Sequence, residues 1–471
     1  MQPYEFNKID YLSVPLPSDI QRAKESGDFI LAKELIENKL NFSKTSQTLC
    51  RRLEGELAIL AVLAKDQFPY NEKKVQEKMA AAFTDYDPGE LHQLIIQNQI
   101  GWIYHQGEKY FDKRFIENLV KTRKDYYQRY RYEEESSIDN ERQAELDDNI
   151  VVMKKEGKRK AKITVQQSIA PKNQLSQKEA PFLAHLPLPR NNDQISATKI
   201  LNTTDNVKQI DTADSLQRTI AFQTNDPADL FFQVSHEYII QADYHDLFKL
   251  KERKDFPKEL SSQERSQWQA YLTEKSPHIL FTNFLKQLLA EIIRPEMNLV
   301  QKAWQIYQFV TTQVNYSYMP EYFTITNISE FCAVNQKGDC GVQAILYITL
   351  CRMAGIPAKW ESGLYISEYT QGPHDWAKFY LPEIGWIYAD CSFGGSAYRG
   401  ENTERWKYYF GNLDVFRLPA NDDIQSDFRI SKNHLRADPI DNQRGEFETR
   451  QQGLRFDQLD WQVSLLDFKF L

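Results

Sequence analysis

Three side chains between positions 340 and 390 have the types that together can perform covalent catalysis. They are Cys340 in the stretch GDCGVQA, His374 in GPHDWAKFY and Asp390 at the end of WIYAD. A cysteine attacks a carbonyl as the thiolate and needs a base that accepts a proton and later returns it to a leaving amine, which imidazole does near neutral pH. A carboxylate beside the imidazole fixes its tautomer. The alternative is that Cys340 is a buried thiol that happens to begin a helix, since free cysteines are among the most buried residues.

A helix is predicted to begin at Cys340. Asp339 suits the N-cap position, apolar residues recur at helical spacing from Ala344 to Met353, and Gly355 is a stop signal. At a helix start, the unpaired N–H groups and the positive end of the helix dipole stabilise a thiolate, so we expect a lowered pKa for this thiol. The backbone N–H of Cys340 is also placed to donate to a developing oxyanion.

A hairpin is predicted to bring His374 and Asp390 together. Residues 375–381 alternate in polarity after the turn QGP, which predicts a strand with His374 at its mouth. The turn PEIG and the alternating run WIYAD follow. Antiparallel pairing of the two runs would return Asp390 to the side of His374.

Three segments resemble the motifs of the transglutaminase-like superfamily, which has a papain-like cysteine fold. They are GDCGVQAILYITLCRMAGIPAKW, HDWAKFYLPEIGW and YADCS, and the resemblance covers roughly residues 275–395. It implies that Cys340, His374 and Asp390 form a catalytic triad. The chain departs from the family pattern at Asp375, where a small residue is usual, and at Cys391, where proline is common.

Further residues are candidates for the same site. Gln336, four residues before the thiol, and Tyr318 in NYSYMP are candidates for a second oxyanion donor. Trp376 has two interpretations, packing in the core or lining a substrate groove. Cys332 and Cys351 are expected to be structural, and Cys351 lies eleven residues into the helix, beyond the reach of its dipole.

The resemblance implies a cysteine enzyme that acts on peptide or side-chain amides through a thioester. We favour hydrolysis, by a peptidase or amidase, because no acidic cluster resembles the calcium loop that would suggest the calcium switch of the animal crosslinking enzymes. A protein-glutamine acyltransferase is the alternative, and a third hypothesis is a catalytically silent binding or scaffold module. We expect a protein or peptide substrate, no cofactor and no metal.

The hydrophobic periodicity changes along the chain and predicts a multidomain α+β protein, with a papain-like core preceded by a helical domain and a β-sandwich. Helical spacing dominates residues 1–130, and a charge-rich run at 131–156 is interpreted as a linker or a solvated helix. Alternation with period two predicts a β-rich domain at 157–245, which looks like the domain that often precedes the catalytic one in bacterial members. The catalytic domain is expected at 246–395, with an extension packed on it at 396–471.

Composition restricts the partners and the compartment. A chain of 471 residues with 41% hydrophobic residues is typical of globular multidomain proteins, and its net charge of −8 argues against nucleic acid as a partner. The five cysteines are scattered and contain no CxxC pair, which argues against a disulfide framework and against a zinc site. No secretory leader or apolar membrane span is visible, so the default expectation is the cytoplasm, or export if a leader has been removed.

Overall fold

The structure, a computed structural model, describes residues 9–42, 44–131 and 136–471. The chain forms two compact units. One contains residues 10–137 and 315–327, and the other contains Ile9, residues 138–314 and residues 328–471. Within the described ranges, no helix combines the length and the apolar character that crossing a membrane requires.

The first unit is mainly helical, and several of its helices begin at capping side chains. Asp28, Ser46 and Asn71 each accept a hydrogen bond from the backbone N–H three residues further on. The helices are α1 (Ser18–Glu25), α2 (Phe29–Leu40), α3 (Gln47–Val62), α4 (Glu72–Ala82), α5 (Gly89–Ile96), α6 (Phe115–Thr122) and α7 (Lys124–Arg129). The strands β1 (Tyr70–Asn71), β2 (Trp102–His105) and β3 (Glu108–Phe111) form a small sheet in the order β1-β3-β2. The unit runs past the expected boundary at residue 130 and takes in the separate segment 315–327.

A helix, α8 (Ser136–Glu156), occupies most of the segment that was expected to be a charged linker. Leu146, Ile150 and Met153 recur every three to four residues and are buried, and Asp147 pairs with Arg405 at 2.7 Å. Of the two interpretations, a linker or a solvated helix, the helix is present, but it is not fully solvated, because a narrow apolar stripe within the charged run is buried. Residues 132–135 of the same prediction lie outside the described residues.

The β-rich region contains long antiparallel strands, as the period-two pattern predicts. They are β4 (Lys158–Pro171), β5 (Phe182–Pro187), β6 (Ile195–Thr203), β7 (Val207–Ile210), β8 (Thr219–Thr224) and β9 (Phe232–Asp243). Strands β4, β9 and β6 lie in one sheet and β5, β8 and β7 in another. Their shared core includes Ile169, Phe182, Phe222 and Phe232.

The region that carries the candidate triad has helices first and strands afterwards. Its helices are α9 (Leu247–Lys251), α10 (Ser262–Gln267), α11 (Asn283–Ile292), α12 (Leu299–Gln313), α13 (Ile328–Asn335), α14 (Cys340–Met353), α15 (Cys391–Arg399) and α16 (Thr403–Tyr408). Its strands are β11 (Lys337–Gly338), β12 (Ala358–Ile366), β13 (Gln371–Leu381) and β14 (Gly385–Ala389), while β10 (Asn315–Tyr316) belongs to the first unit. Helix α14 packs on β13, where the rings of Tyr347 and Phe379 lie 5.7 Å apart between centres.

The C-terminal residues complete sheets that begin far earlier in the chain. They form β15 (Phe410–Gly411), β16 (Arg417–Asn421), β17 (Glu446–Glu448), β18 (Gly453–Leu454) and β19 (Leu459–Phe470). Strand β16 pairs with β12, β17 with β5, and β19 with β4. The segment that was predicted to be an extension packed on the catalytic domain does pair with that region through β16, and its later strands also hydrogen-bond into the β-rich region.

Candidate active site

Cys340 is the first residue of α14, and the start of this helix is firmly fixed. The Asp339 carboxylate accepts a hydrogen bond from the backbone N–H of Val342 at 3.1 Å and so caps the helix. The helix is buried from Gly341 to Arg352, so packing holds its first turn in place. Cys340 itself is half-buried, which leaves part of the residue accessible.

Strands β13 and β14 bring His374 and Asp390 together. Their antiparallel register pairs Ala377 with Ala389, so Asp390, immediately after β14, comes back beside His374. His374 Nε2 lies 2.7 Å from Asp390 Oδ2, and both side chains are buried. The hairpin predicted from the sequence therefore forms this contact, while the catalytic role of the pair stays a prediction.

Asp390 is locked in position by further hydrogen bonds. It is the N-cap residue of α15, and its Oδ1 accepts the backbone N–H of Phe393 at 2.9 Å and the hydroxyl of Ser392 at 3.0 Å. Because its two oxygens have different partners, the carboxylate cannot rotate without losing bonds. The orientation of the His374 ring is fixed in consequence.

Arg417 is a residue of this site that sequence reasoning missed. Its Nη1 donates to Asp390 Oδ2 at 2.9 Å, and its Nε and Nη2 donate to the two oxygens of Asp414 at 2.9 and 2.7 Å. None of these three side chains has exposed surface. The signal in the sequence is the pair of opposite charges in the otherwise apolar run LDVFRL, since a charge within a buried strand needs a partner.

The charges in this cluster determine which group holds a proton. Burial alone would raise the pKa of Asp390, but the proximity of His374 and Arg417 outweighs burial and lowers this pKa well below its usual range. Burial lowers the pKa of His374, and the attraction of Asp390 opposes that effect. At neutral pH Asp390 is therefore a carboxylate, which can only accept hydrogen bonds. His374 must then carry its proton on Nε2, which leaves the lone pair on Nδ1 free to accept a proton.

The partner of the Cys340 thiol is Asp375 rather than His374. Sγ donates to Asp375 Oδ2 at 3.3 Å, and among the described residues no hydrogen bond joins Cys340 to the His374 ring. Burial, followed by the charges of Asp375 and Asp339, raises the pKa of Cys340 well above its ordinary value.

The expectation of a lowered thiol pKa is therefore wrong for this arrangement. A helix dipole is worth about 0.3–1 kcal/mol, which corresponds to less than one pKa unit. Burial of a charge shifts a pKa by up to about 3–5 units. The desolvation of Cys340 and its acidic neighbours thus outweigh the helix dipole.

The remaining site candidates have separate outcomes. Trp376 is fully buried and donates from Nε1 to Glu361 Oε2 at 2.8 Å, so the groove interpretation is wrong and core packing is right. Gln336 is exposed, with φ of +51°, and its role as an oxyanion donor stays a prediction. Tyr318 lies in the segment 315–327 of the first unit, where the Arg114 guanidinium stands 3.2 Å from the centre of its ring.

The other thiols near the candidate triad lie in the interior. Cys332, Cys351 and Cys391 are buried and free, and burial raises the pKa of each. In the described part of the chain, no group of three or more His, Cys, Asp or Glu side chains is arranged to hold a metal ion. The chemistry that these residues can offer is nucleophilic attack and proton transfer.

Comparison with known proteins identifies the family of the region that carries the candidate triad. Residues 286–391 match the family model of the transglutaminase-like superfamily, so this part of the chain is a transglutaminase-like core. All three residues of the candidate triad lie within the matched range. No curated protein matches the chain.

Two solved structures are similar to the chain at low sequence identity. One is a candidate cysteine protease from Cytophaga hutchinsonii, 14% identical, with a TM-score of 0.43, covering 67% of this chain and 93% of its own. The other is the periplasmic domain of TgpA from Pseudomonas aeruginosa, 13% identical, with a TM-score of 0.27, covering 52% of this chain and 92% of its own.

Proposed function

We propose that this protein is a cysteine-dependent hydrolase of peptide or side-chain amide bonds, with Cys340 as nucleophile, His374 as general base and Asp390 as its orienting partner. The observation that carries the proposal is the buried 2.7 Å contact between His374 and Asp390. This pair stands in one transglutaminase-like core with a thiol at the start of a helix.

The reaction follows from the protonation states of these groups. In the proposed reaction Cys340 Sγ bonds to the carbonyl carbon of the amide and its proton passes to His374 Nδ1, the ring nitrogen that does not contact Asp390. This transfer requires the thiol to exchange Asp375, its hydrogen-bond partner in this structure, for the imidazole. The imidazolium then gives this proton to the leaving amine, and a thioester remains on Sγ. Water attacks the thioester with His374 again as base, which releases a carboxylic acid and restores the thiol.

The buried charges favour the transient imidazolium. Asp390 and Asp414 contribute two negative charges and Arg417 one positive charge, so the cluster carries one excess negative charge while His374 is neutral. When His374 accepts the proton of Cys340, the cluster becomes neutral. Because an uncompensated charge is costly in the interior, this neutralisation stabilises the protonated ring as the reaction needs it.

Single-turnover acylation by p-nitrophenyl acetate, followed together with the melting temperature, tests the assignment. Cys340→Ala should abolish acylation by several orders of magnitude while the fold is retained, because only the attacking atom is lost. His374→Ala should cost about as much, and Asp390→Asn should leave some activity with a poorer tautomer. Cys351→Ala is the matched control, since it removes a buried thiol from the same helix. Near-normal acylation by Cys340→Ala would contradict the assignment of Cys340 as nucleophile, and an absence of acylation in the unsubstituted protein would support a silent scaffold.

A second experiment separates hydrolysis from acyl transfer. Dimethylcasein is incubated with the protein with and without the primary amine cadaverine, and the products are identified by mass spectrometry. We expect cleavage or deamidation in both samples, because water is then the acceptor of the acyl group. Incorporation of cadaverine in excess over hydrolysis would instead favour the acyltransferase alternative.

A further inference from the structure

Asp375 occupies the position from which a group can control the nucleophile. It follows His374 in β13, and successive side chains of a strand point to opposite faces of the sheet. The Asp375 side chain therefore lies on the face that packs against α14, where its Oδ2 accepts the Cys340 thiol at 3.3 Å. A small residue at this position would leave the sulfur without that carboxyl partner.

Gln443 holds Asp375 in this position. Its Nε2 donates to Asp375 Oδ1 at 2.5 Å and to the backbone carbonyl of His374 at 3.0 Å. Gln443 belongs to the 422–445 loop, which joins β16 to β17 and contains no helix or strand. A loop of this length without secondary structure is uncommon in a compact domain and usually has a function.

The 422–445 loop is anchored on both sides of this contact. The side chain of Asn421 donates to the backbone carbonyl of Asn442 at 3.0 Å, and Lys432 forms a buried ion pair with Glu446 at 2.7 Å. Ser362, on the neighbouring strand β12, donates its hydroxyl to Asp441. Gln443 is therefore presented to Asp375 by a fixed backbone and not by a freely moving one.

The surroundings of Asp375 are rich in carboxyl groups. The ionisable groups that face it are Cys340 and Asp339 from α14 and its cap, and Asp438 and Asp441 from the 422–445 loop. Arg436 faces Asp438 and Asp441 from the same loop. Burial, followed by the negative charges of these acidic neighbours, raises the pKa of Asp375. Burial likewise raises the pKa of Asp441, to about 8. Any negative charge on Asp375 thus lies directly against the sulfur that must itself become negative.

We propose that Asp375 is a brake on the nucleophile, which keeps Cys340 as a protonated thiol through a direct hydrogen bond, and that Gln443 is the positioning residue that holds this brake. The inference rests on the proposed function, because a brake has meaning only if Cys340 reacts. Thiolate formation requires that the Sγ proton leave the Asp375 carboxyl for His374, and a neutral side chain at position 375 would make that transfer easier. Gln443 acts only through Asp375.

The pH dependence of Cys340 alkylation tests this proposal without a substrate. The full-length protein reacts with iodoacetamide over a range of pH, and peptide mass spectrometry resolves the rate at Cys340 from the rate at Cys50. At any pH where Asp375 is ionised, Asp375→Asn removes its negative charge and keeps the shape, so the midpoint of the alkylation profile, which lies in the alkaline range, should fall by about one pH unit or more, as removal of a neighbouring like charge predicts. Asp375→Ala, with a small residue of the kind the family pattern has, should move the midpoint in the same direction.

Gln443→Ala should lower the midpoint by less than Asp375→Asn does, and it should cause no further shift in the Asp375→Asn background. If Gln443 only stabilised the loop, Gln443→Ala would lower the melting temperature without shifting the midpoint of Cys340 alkylation. Asp211→Asn is the matched control, because Asp211 is a buried aspartate in the β-rich region whose side chain accepts hydrogen bonds from Thr219 and Gln209. The melting temperature of each variant is measured alongside.

Each outcome decides the question. A midpoint that stays or rises in folded Asp375→Asn and Asp375→Ala overturns the brake, and a slower reaction at every pH assigns Asp375 to proton transfer instead. A lowered midpoint in a protein that acylates no ester or amide supports the brake and contradicts the proposed function. An unchanged midpoint together with Cys340-dependent turnover contradicts only the brake.

Discussion

Substitution of Arg417 by methionine tests the cluster that holds the candidate base. Arg417 contacts Asp390 and Asp414 through three hydrogen bonds of 2.7–2.9 Å, and none of the three side chains has exposed surface. Methionine fills most of the space but supplies no charge. Asp390 and Asp414 are then buried without the cation that paired with both of them. Loss of one partner of an ion pair destabilises a protein most when the remaining charge is buried.

The expected loss in the free energy of unfolding depends on the hydrogen bonds that Asp390 and Asp414 keep in Arg417→Met. Removing one partner of a buried ion pair costs about 3–5 kcal/mol. Asp390 retains His374 and the N-cap bonds of α15, and Asp414 retains the hydroxyl of Tyr409 at 3.0 Å. We therefore expect the lower end, about 3 kcal/mol, which is a large part of the 5–15 kcal/mol that typically stabilises a domain.

Urea unfolding at pH 7 measures this loss in Arg417→Met, Asp414→Asn and the double variant. The double variant should lose less than the sum of the single losses, by about 1–3 kcal/mol, because the two residues interact directly. Arg417 also lowers the pKa of His374, so its removal should move the acid limb of kcat/KM to higher pH.

Arg52→Met is the matched control, since Arg52 pairs with Glu56 at 2.7 Å in the interior of the first unit. It should cost stability without changing the pH profile. A loss below about 1 kcal/mol for Arg417→Met, or strict additivity with Asp414→Asn, would refute the reasoning that assigns the net cost to uncompensated buried charge.

Three further predictions concern stability. Cys351→Ala should lower the free energy of unfolding by about 1–2 kcal/mol with acylation unchanged, and a loss of acylation would give this buried thiol a chemical role. Deletion of residues 459–471 removes β19 and turns β4, which stays paired with β9, into an exposed edge strand, so solubility and melting temperature should fall, whereas the exposed control Leu466→Ser should change neither. Three fully buried histidines have their pKa lowered from 6.5 to about 3, chiefly by burial. The unfolded chain therefore binds more protons between these values, and stability should fall by about 1.4 kcal/mol per histidine for each pH unit below 6.5. A urea midpoint that is flat between pH 7 and pH 5 would contradict this. These histidines are His185, His236 and His278.

Local signals were sufficient for the elements that carry the candidate triad. The cap at Asp339, the apolar spacing after it and the stop at Gly355 specify where α14 begins and ends. Alternation on both sides of the turn PEIG specifies the β13–β14 hairpin, and its register brings His374 to Asp390. These features depend on residues within a few turns or one hairpin of one another, so they can be read from a short stretch of sequence.

The charged segment at 131–156 shows where local signals fail. Its composition favours a linker or a solvated helix, yet Leu146, Ile150 and Met153 bury a narrow stripe in α8. Three apolar residues among many charged ones give a weak periodic signal. Their burial depends on a surface that other parts of the chain provide, which no local pattern describes.

The sequence by itself determined the order of the chemical residues, the helix that begins at the thiol and the strand that carries the imidazole. Only the tertiary structure decided that Arg417 pairs with Asp390 and that β19 pairs with β4. It also decided that Gln443 hydrogen-bonds to Asp375, which in turn accepts the thiol of Cys340. These contacts join residues distant in sequence, and each contributes a charge or a hydrogen bond whose strength depends on burial. The protonation state of Cys340 follows from that environment and not from its place at the start of a helix.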